Sequence, residues 1–553
     1  MSDQEEPLLR PGANASQASY DAIPSNNNAA PSAGEQAECL GQGKSRAEIL
    51  KLLLPVAVGI FLAALDSTVV VSTYASIGSD FNQLQNTSWI ATAYLLTMTA
   101  FQPLYGKLSD IFGRKHTLLF AYLMFAAGNL WCGSSRSLEE LIAARAFTGI
   151  GGGGMTTVVS IMMSDVIPIR SRGTWQGVIN IIFTTGSTAG APLGGFLVDS
   201  IGWRWAFLAQ VPAILVAFSV VVIVLDLPAT QTTETWRVKL ARVDFLGSFS
   251  LVLTVFFLLL TLDRGGNVSW TDTLTLSSFA SFLAFALIFV LVESCFAKEP
   301  LAPKRILLGR NFFPSFLCNF FGMACALSLV FYVSLYLQVV ANKSAHEAGL
   351  YIIPAIVMQL AGSLGGGLVI QTTGDFYWVT VVGETMLFVG SAMVAGASGS
   401  GAGWLAVLLT GFIIGSTGNS SGITTSLVSL IANAGPANQS IATAGSYLYR
   451  SMGSVLGLSI GSTLIQQTLR SSLRTSLAGR EDIDIIAKRV RESLAYLDEL
   501  DPSTRRIVVS SYERALFIAF CFTTLMGFCA AVSSLFVKAK ALEHKKVGDD
   551  RTP

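Results

Sequence analysis

Two charged residues stand where an apolar environment makes charge expensive: Asp66 in LAALDSTVVV and Arg145 in AARAFTGIGGGG. A carboxylate deep in a bilayer costs roughly 2.5–3.5 kcal/mol on insertion scales, so it faces a cavity or has a partner. Burial favours the neutral form of a carboxyl, which brings proton uptake and release within physiological reach. An acid so placed binds either a proton or a cation, and a neighbouring guanidinium sets when it does so. The plain alternative is an acid that only packs helices. With a rise of roughly 1.5 Å per residue and a core roughly 30 Å thick, Asp66 sits roughly 22 Å above the inner edge and Arg145 roughly 10 Å below the outer one. At such similar levels the two are expected to interact, directly or through water.

The elements that hold them are membrane helices. Hydrophobic residues make up 52% of the 553, charged residues only 13%, about half the share usual in a soluble domain. The mean hydropathy is +0.57. Apolar runs recur at 51–77, 89–106, 117–133, 138–163, 174–198, 203–226, 244–262, 273–293, 312–340, 348–371, 378–398, 402–431, 441–466 and 513–537, about fourteen spans of about twenty residues. The even count places both termini on one side. Lys107, Arg114, Lys115, Arg170, Arg172, Arg237, Lys239, Arg242, Lys298, Lys304, Arg305 and Arg310 all fall in loops on that side, which is therefore cytoplasmic. Residues 467–512 dissent, being basic yet outside; Ile483, Ile486, Val490, Leu494 and Leu497 have the spacing of an amphipathic surface helix.

Residues 1–47 read as a disordered cytosolic tail rich in Ser, Asn and Ala. Its start is acidic and no apolar run follows, so no signal peptide is expected. Within it, Glu5-Glu6-Pro7-Leu8-Leu9 has the form of an acidic dileucine sorting signal read by adaptors, or is inert. Sequons at Asn267 and Asn342 fall in outside loops and are expected glycan acceptors. The balance of 36 basic and 35 acidic residues argues against nucleic acid. The seven cysteines lack metal or redox spacing, and with three histidines no metal site is expected. No Walker A loop or GxSxG elbow appears, so neither ATP-driven transport nor hydrolase chemistry is expected.

Between two spans lies Gly106–Thr117, GKLSDIFGRKHT. Gly106 and Gly113 suit tight turns, and Asp110 and Arg114 are one helical turn apart. The string fits GxLxDxxGRK and resembles the loop motif of the major facilitator superfamily. RAFTGIGGGG from Arg145 is similar to that family's fourth-helix motif, and LDSTVV at Asp66 to the first-helix motif of its fourteen-span drug:proton antiporter branch. Gly186, Gly190, Pro192, Gly194 and Gly195 resemble the antiporter motif GxxxGPxxGG, with Ala191 intervening; glycines four apart also serve plain helix packing. Trp203-Arg204-Trp205-Ala-Phe207 reads as an interfacial aromatic belt. DSTVVVSTYASIGSDF and SWIATAYLLTMTAFQPLYGKLSDIFGRK most resemble fungal vacuolar transporters of basic amino acids.

The resemblance implies an all-α polytopic protein: a six-helix half at 48–226, a linker with two extra helices at 227–311, a second half at 312–537 containing the 467–512 outside loop, and a tail at 538–553. It implies a proton antiporter, not an enzyme, which carries lysine, arginine or histidine from cytosol into vacuole, needs no cofactor beyond the proton gradient, and is a monomer. Plasma-membrane multidrug efflux is the rival. A non-transporting nutrient receptor is a further one, disfavoured by retention of Asp66 and Arg145. Asp110 is expected to hold the N-terminus of the span near Ser440–Gly445 across the halves, with Arg114 fixing Asp110 and reaching Asp165. Glu384 and Arg450, each about seven residues from the inner edge, are expected to pair. Gln102, Asn180, Asn319, Gln359 and Asn419, with Trp89, Tyr94, Phe183, Tyr332 and Tyr336, are expected around the cavity.

Overall fold

The computed structural model describes residues 46–81, 88–167, 171–225, 244–267, 270–296, 309–343, 345–399, 404–435, 438–476, 489 and 500–539. These residues form helices and contain no strand. In chain order the helices are α1 (Arg46–Asp80), α2 (Ser88–Phe112), α3 (Arg114–Ser134), α4 (Leu138–Val166), α5 (Arg172–Ile201), α6 (Arg204–Leu208), α7 (Gln210–Val224), α8 (Phe245–Asn267), α9 (Thr273–Leu291), α10 (Phe313–Val339), α11 (Ala345–Thr373), α12 (Tyr377–Ser398), α13 (Leu405–Ala434), α14 (Gln439–Ser476) and α15 (Pro502–Ser534). In a bilayer every backbone polar group must be satisfied within its own segment, which helices achieve.

In the first half α4 is the axis. Its most apolar window is 83% buried, against 18% in α5 and 17% in α9. Glycine makes this possible. A Cβ on Gly149 would stand 2.3 Å from the Tyr94 carbonyl oxygen of α2, and one on Gly151 would stand 2.5 Å from the Phe125 nitrogen of α3. Backbone therefore meets backbone on both sides, the contact that drives helix association where lipid removes the hydrophobic drive. Ser137 caps α4 by accepting from the Glu140 N–H at 3.1 Å. The second half packs around Tyr332, Tyr336, Leu387, Phe412, Leu516 and Phe520.

The halves meet along α2 with α14 and α5 with α11. A Cβ on Gly106 would lie 2.7 Å from Ala444 Cβ, and one on Gly367 would lie 2.5 Å from the Gly173 carbonyl carbon. Of the two extra helices, α8 sets Leu251, Val255 and Leu259 against Leu96 of α2 and Val455 of α14, so it touches both halves along one seam. Trp89 belongs to that seam, its ring 6.1 Å from Phe256. Helix α9 turns Leu274, Phe279, Leu283 and Leu287 outward.

Among the described residues nine helices are long and apolar enough to cross a membrane, and α1 and α8 carry shorter apolar cores. Helices α2, α13 and α14 fall outside both groups. Their apolar content is diluted by polar residues such as Gln102, Asn419 and Gln439, which are buried against other helices. Two expectations are corrected. Gly106 is in no turn: it lies inside α2, and the motif contains one break, at Gly113 with φ +87°. The 467–512 loop is narrower, because α14 runs on to Ser476 and α15 starts at Pro502. Buried Leu469, Leu473 and Val508 extend the core there, and Ser472 Oγ bonds Ser511 Oγ at 3.0 Å. Ile483, Ile486, Val490, Leu494 and Leu497, the N-terminal Leu8 and Leu9, and the C-terminal 540–553 lie outside the described residues.

Candidate functional site

Asp66 and Arg145 are both fully buried and in contact. Arg145 Nη1 donates to Asp66 Oδ2 at 2.6 Å, Nη2 reaches the Asp66 carbonyl at 3.5 Å, and Nε donates to the Ile90 carbonyl of α2 at 3.3 Å. The guanidinium lies 4.4 Å over the Tyr94 ring and 5.5 Å from that of Phe207. The second carboxylate oxygen, Oδ1, accepts from Gln210 Nε2 at 3.1 Å. Gln210, at the start of α7, was not anticipated; as one amide among apolar residues it carries no sequence signal. One ion pair thus joins α1, α2, α4, α6 and α7. Because it is sealed inside the first half, Asp66 here faces a partner and not an open cavity.

Gly186 and Gly190 let α5 lie close against α1. A Cβ on Gly186 would stand 2.4 Å from the Phe61 carbonyl oxygen. One on Gly190 would stand 2.4 Å from that of Leu65, the residue before Asp66. Ser187 Oγ adds a 3.5 Å bond to the Ala64 carbonyl. Gly194 is buried and Gly195 half-buried on the same helix, while Pro192 is exposed and α5 runs through it.

Where α2, α3, α4 and α14 meet, at the end of the bundle that carries the GKLSDIFGRK motif, a polar cluster bridges the halves. Arg114 donates through Nη1 to Asp110 Oδ1 (2.5 Å) and Ser109 Oγ (2.7 Å), through Nε to Asp165 Oδ2 (2.8 Å), and through Nη2 to Ser440 Oγ of α14 (2.8 Å). Ser440 Oγ donates to Asp110 Oδ1 at 2.7 Å, and Gln439 Nε2 to Asp165 Oδ1 at 2.9 Å. Further crossings lie above it. Thr174 meets Gln371 at 3.0 Å, Asn180 Nδ2 donates to Ser363 Oγ at 3.0 Å, and Ser451 Oγ donates to Gln102 Oε1 at 3.1 Å. All start within about twelve residues, roughly 18 Å, of the cytoplasmic helix ends. This side of the molecule is closed.

The fold and these motifs agree with the comparisons: residues 56–461 match the Major Facilitator Superfamily. The chain belongs to that superfamily. It is 40% identical over 499 residues to the vacuolar membrane amino acid uptake transporter fnx2 of Schizosaccharomyces pombe, covering 90% of this chain and 86% of that protein. It is 38% identical over 489 residues to the multidrug resistance protein fnx1 of the same organism, covering 87% and 91%. The solved structure of the proton:xylose symporter XylE shares the fold at 14% identity, with a TM-score of 0.59 over 90% of this chain and 97% of that one. As a major facilitator the chain is a multi-pass membrane transporter and not an enzyme.

Other expected residues are placed differently in this facilitator. Glu384 and Arg450 do not pair: both Glu384 oxygens and Arg450 Nη1 lack a hydrogen-bond partner, and the Arg450 guanidinium lies 5.0 Å over Tyr447. Helix α12 packs chiefly on α13 and α15 and not on α14, and the two residues also differ in depth. Helix α14 starts at Gln439, placing Arg450 about eleven residues, roughly 17 Å, from its end, whereas Glu384 is about seven residues, roughly 10 Å, into α12. Trp203 is 5% exposed and is no belt residue, since its Nε1 donates to Asp80 Oδ2 at 3.1 Å; Trp205, 49% exposed, faces outward. Tyr94 and Tyr332 donate to the carbonyls of Ala63 and Leu458 in their own halves. Asn342 is exposed at φ +50° and accepts from Arg505 Nη2 at 3.0 Å; Asn267 ends α8. Among the described residues no His, Cys, Asp or Glu group could hold a metal.

Proposed function

We propose that this chain is a proton antiporter of the vacuolar membrane, moving lysine, arginine and histidine from the cytosol into the vacuole. The observation that carries this reading is the buried Asp66–Arg145 pair. With Asp66 ionised the pair is neutral; with Asp66 protonated the charge of Arg145 is left over. A cation between the halves feels the difference. At roughly 10 Å and an effective dielectric of about 20, one unit charge contributes about 1.7 kcal/mol of repulsion, some fifteenfold in affinity. A luminal proton thus expels a cationic substrate, and its release toward the cytosol readmits one. Proton and substrate exclude each other without sharing a carboxylate, which replaces the simpler scheme of both binding Asp66.

The similarity to fnx2, an amino acid uptake transporter of the vacuolar membrane, and the resemblance of DSTVVVSTYASIGSDF to basic amino acid transporters support the substrate and the membrane. The dileucine at Leu8 and Leu9 supplies a route there through sorting adaptors. The chain works as a monomer, with Asn267 and Asn342 on the luminal side as glycan acceptors. The identity to fnx1 favours a second reading, proton-coupled drug efflux, which uses the same charge switch on a different cation.

The test is uptake of radiolabelled lysine, arginine and histidine by the purified full-length protein in proteoliposomes with an acidic interior. Accumulation that needs the pH gradient and vanishes in Asp66→Asn is expected. Accumulation of hydrophobic cations alone would move the assignment to drugs, and substrate binding without accumulation would make the protein a receptor.

A further inference from the structure

Helix α12 carries a second acid inside the membrane. Glu384 is fully buried, and neither of its carboxylate oxygens meets a hydrogen-bond donor. The helices facing it have given up side chains to make room. A Cβ on Gly422 of α13 would stand 2.4 Å from Oε1, and one on Gly322 of α10 would stand 3.4 Å from Oε2. Beside the carboxyl is another acceptor without a donor: Asn419 Oδ1, 3.2 Å from the same Gly322 position. An isolated carboxylate in such a site is costly enough that the group takes up a proton instead. A protonated carboxyl also carries an O–H that can donate to an acceptor such as Asn419 Oδ1 beside it.

The groups around it supply no countercharge. Helix α10 presents Gly322, which lies between the buried Cys318 and Cys325. Helix α13 presents Asn419 and Gly422, and α15 meets Cys318 through the Ala530 carbonyl at 3.8 Å. Arg450 of α14 stacks on Tyr447.

We propose that Glu384 is a second proton-binding site, separate from Asp66, that holds its proton while the cytoplasmic side is closed. When α10, α12 and α13 separate and admit water, the O–H bond breaks to that water and leaves a carboxylate in the second half, which attracts a cationic substrate. Its use in transport rests on the antiport reading; its proton occupancy does not.

The experiment is infrared difference spectroscopy on the purified full-length protein at neutral pH, wild type against Glu384→Gln, in H2O and D2O. Expected is a protonated-carboxyl carbonyl band in the wild type that shifts in D2O, disappears in Glu384→Gln and persists in Asp66→Asn. Loss of only carboxylate bands in Glu384→Gln overturns the proposal. Should that variant fail to fold, Glu384→Asp must keep the band at a shifted frequency; a missing band there overturns it equally. In proteoliposomes Glu384→Gln is expected to lower proton-driven accumulation several-fold and flatten its pH profile, and an unchanged profile overturns the role in coupling. The infrared reading needs no substrate, so its failure is distinct from failure of the antiport assignment.

Discussion

Ser440 Oγ at the start of α14 donates to Asp110 Oδ1 at the end of α2 over 2.7 Å, so one hydroxyl ties the second half of the molecule to the first. Arg114 reaches both partners and Asp165 as well, which makes the tie a closed ring of charge-assisted bonds. Such bonds are roughly twice as strong as neutral ones. Separating α14 from α2 at this end requires the ring to open.

Asp110→Ala therefore acts on cycling and not on substrate recognition. Asp110 is 36% exposed in its side chain, and screening limits the loss to about 0.5–1 kcal/mol. Transport is expected to slow several-fold, with the substrate Kd changed less than twofold. Equilibrium binding and initial uptake rates measured on one preparation check this; weakened binding with normal cycling would contradict it.

The Asp110–Arg114 part of the ring was legible because both lie in one contiguous string, GKLSDIFGRK, and because charge confined to a membrane face has few roles. Asp66 and Arg145 were legible for a similar reason: charge in an apolar run demands a partner, and helical rise puts the two at one level. Sequence could not supply helix rotation. It paired Glu384 with Arg450, which lies a turn deeper, and it put Trp203 in the interfacial belt although Trp203 is buried and Trp205 faces outward. Gln210 was invisible, because an amide becomes chemistry only when folding aims it at Asp66.

Breaking the Asp66–Arg145 pair leaves a buried charge unmatched. Asp66→Asn and Arg145→Gln are each expected to cost about 3–5 kcal/mol of stability, and the double variant less than the sum. Thermal unfolding of the purified proteins gives the comparison, additive losses being the adverse result. Arg145→Lys keeps the charge but loses the fork that reaches Asp66 Oδ2, the Asp66 carbonyl and the Ile90 carbonyl together. Transport should fall at least tenfold, and full transport by this variant would exclude Arg145 from coupling.

Gly190→Ala tests whether α5 positions α1. The new methyl would stand 2.4 Å from the Leu65 carbonyl oxygen, so the helices must part beside Asp66. Overpacking of this kind costs about 1–3 kcal/mol, and proton-coupled uptake should drop with it. Gly349→Ala is the control. Its Cβ meets nothing within 4 Å, and replacing glycine within a helix stabilises by about 0.5–1 kcal/mol. Equal damage from both substitutions would mean that close contact is not the cause.

On the outer side, Asp80 at the end of α1 accepts from Trp203 Nε1 and Arg204 Nη1, each at 3.1 Å, and the Arg204 guanidinium lies 4.4 Å over the Trp203 ring. The Trp203 bond foremost, then that of Arg204, holds the Asp80 carboxyl below its ordinary value of 3.8. A depressed carboxyl adds stability that is present above the unfolded value and is lost as pH falls through the folded one. The clamp therefore stays ionised and closed in mildly acidic solution, and opens only below about pH 3.8. Trp203 emission, isolated by difference against Trp203→Phe, should be flat from neutral pH to about 4 and change below that, with Asp80→Asn lacking the acid step. A transition between pH 5 and 6 would instead make the clamp a sensor of mild acidity, contrary to the lowered carboxyl.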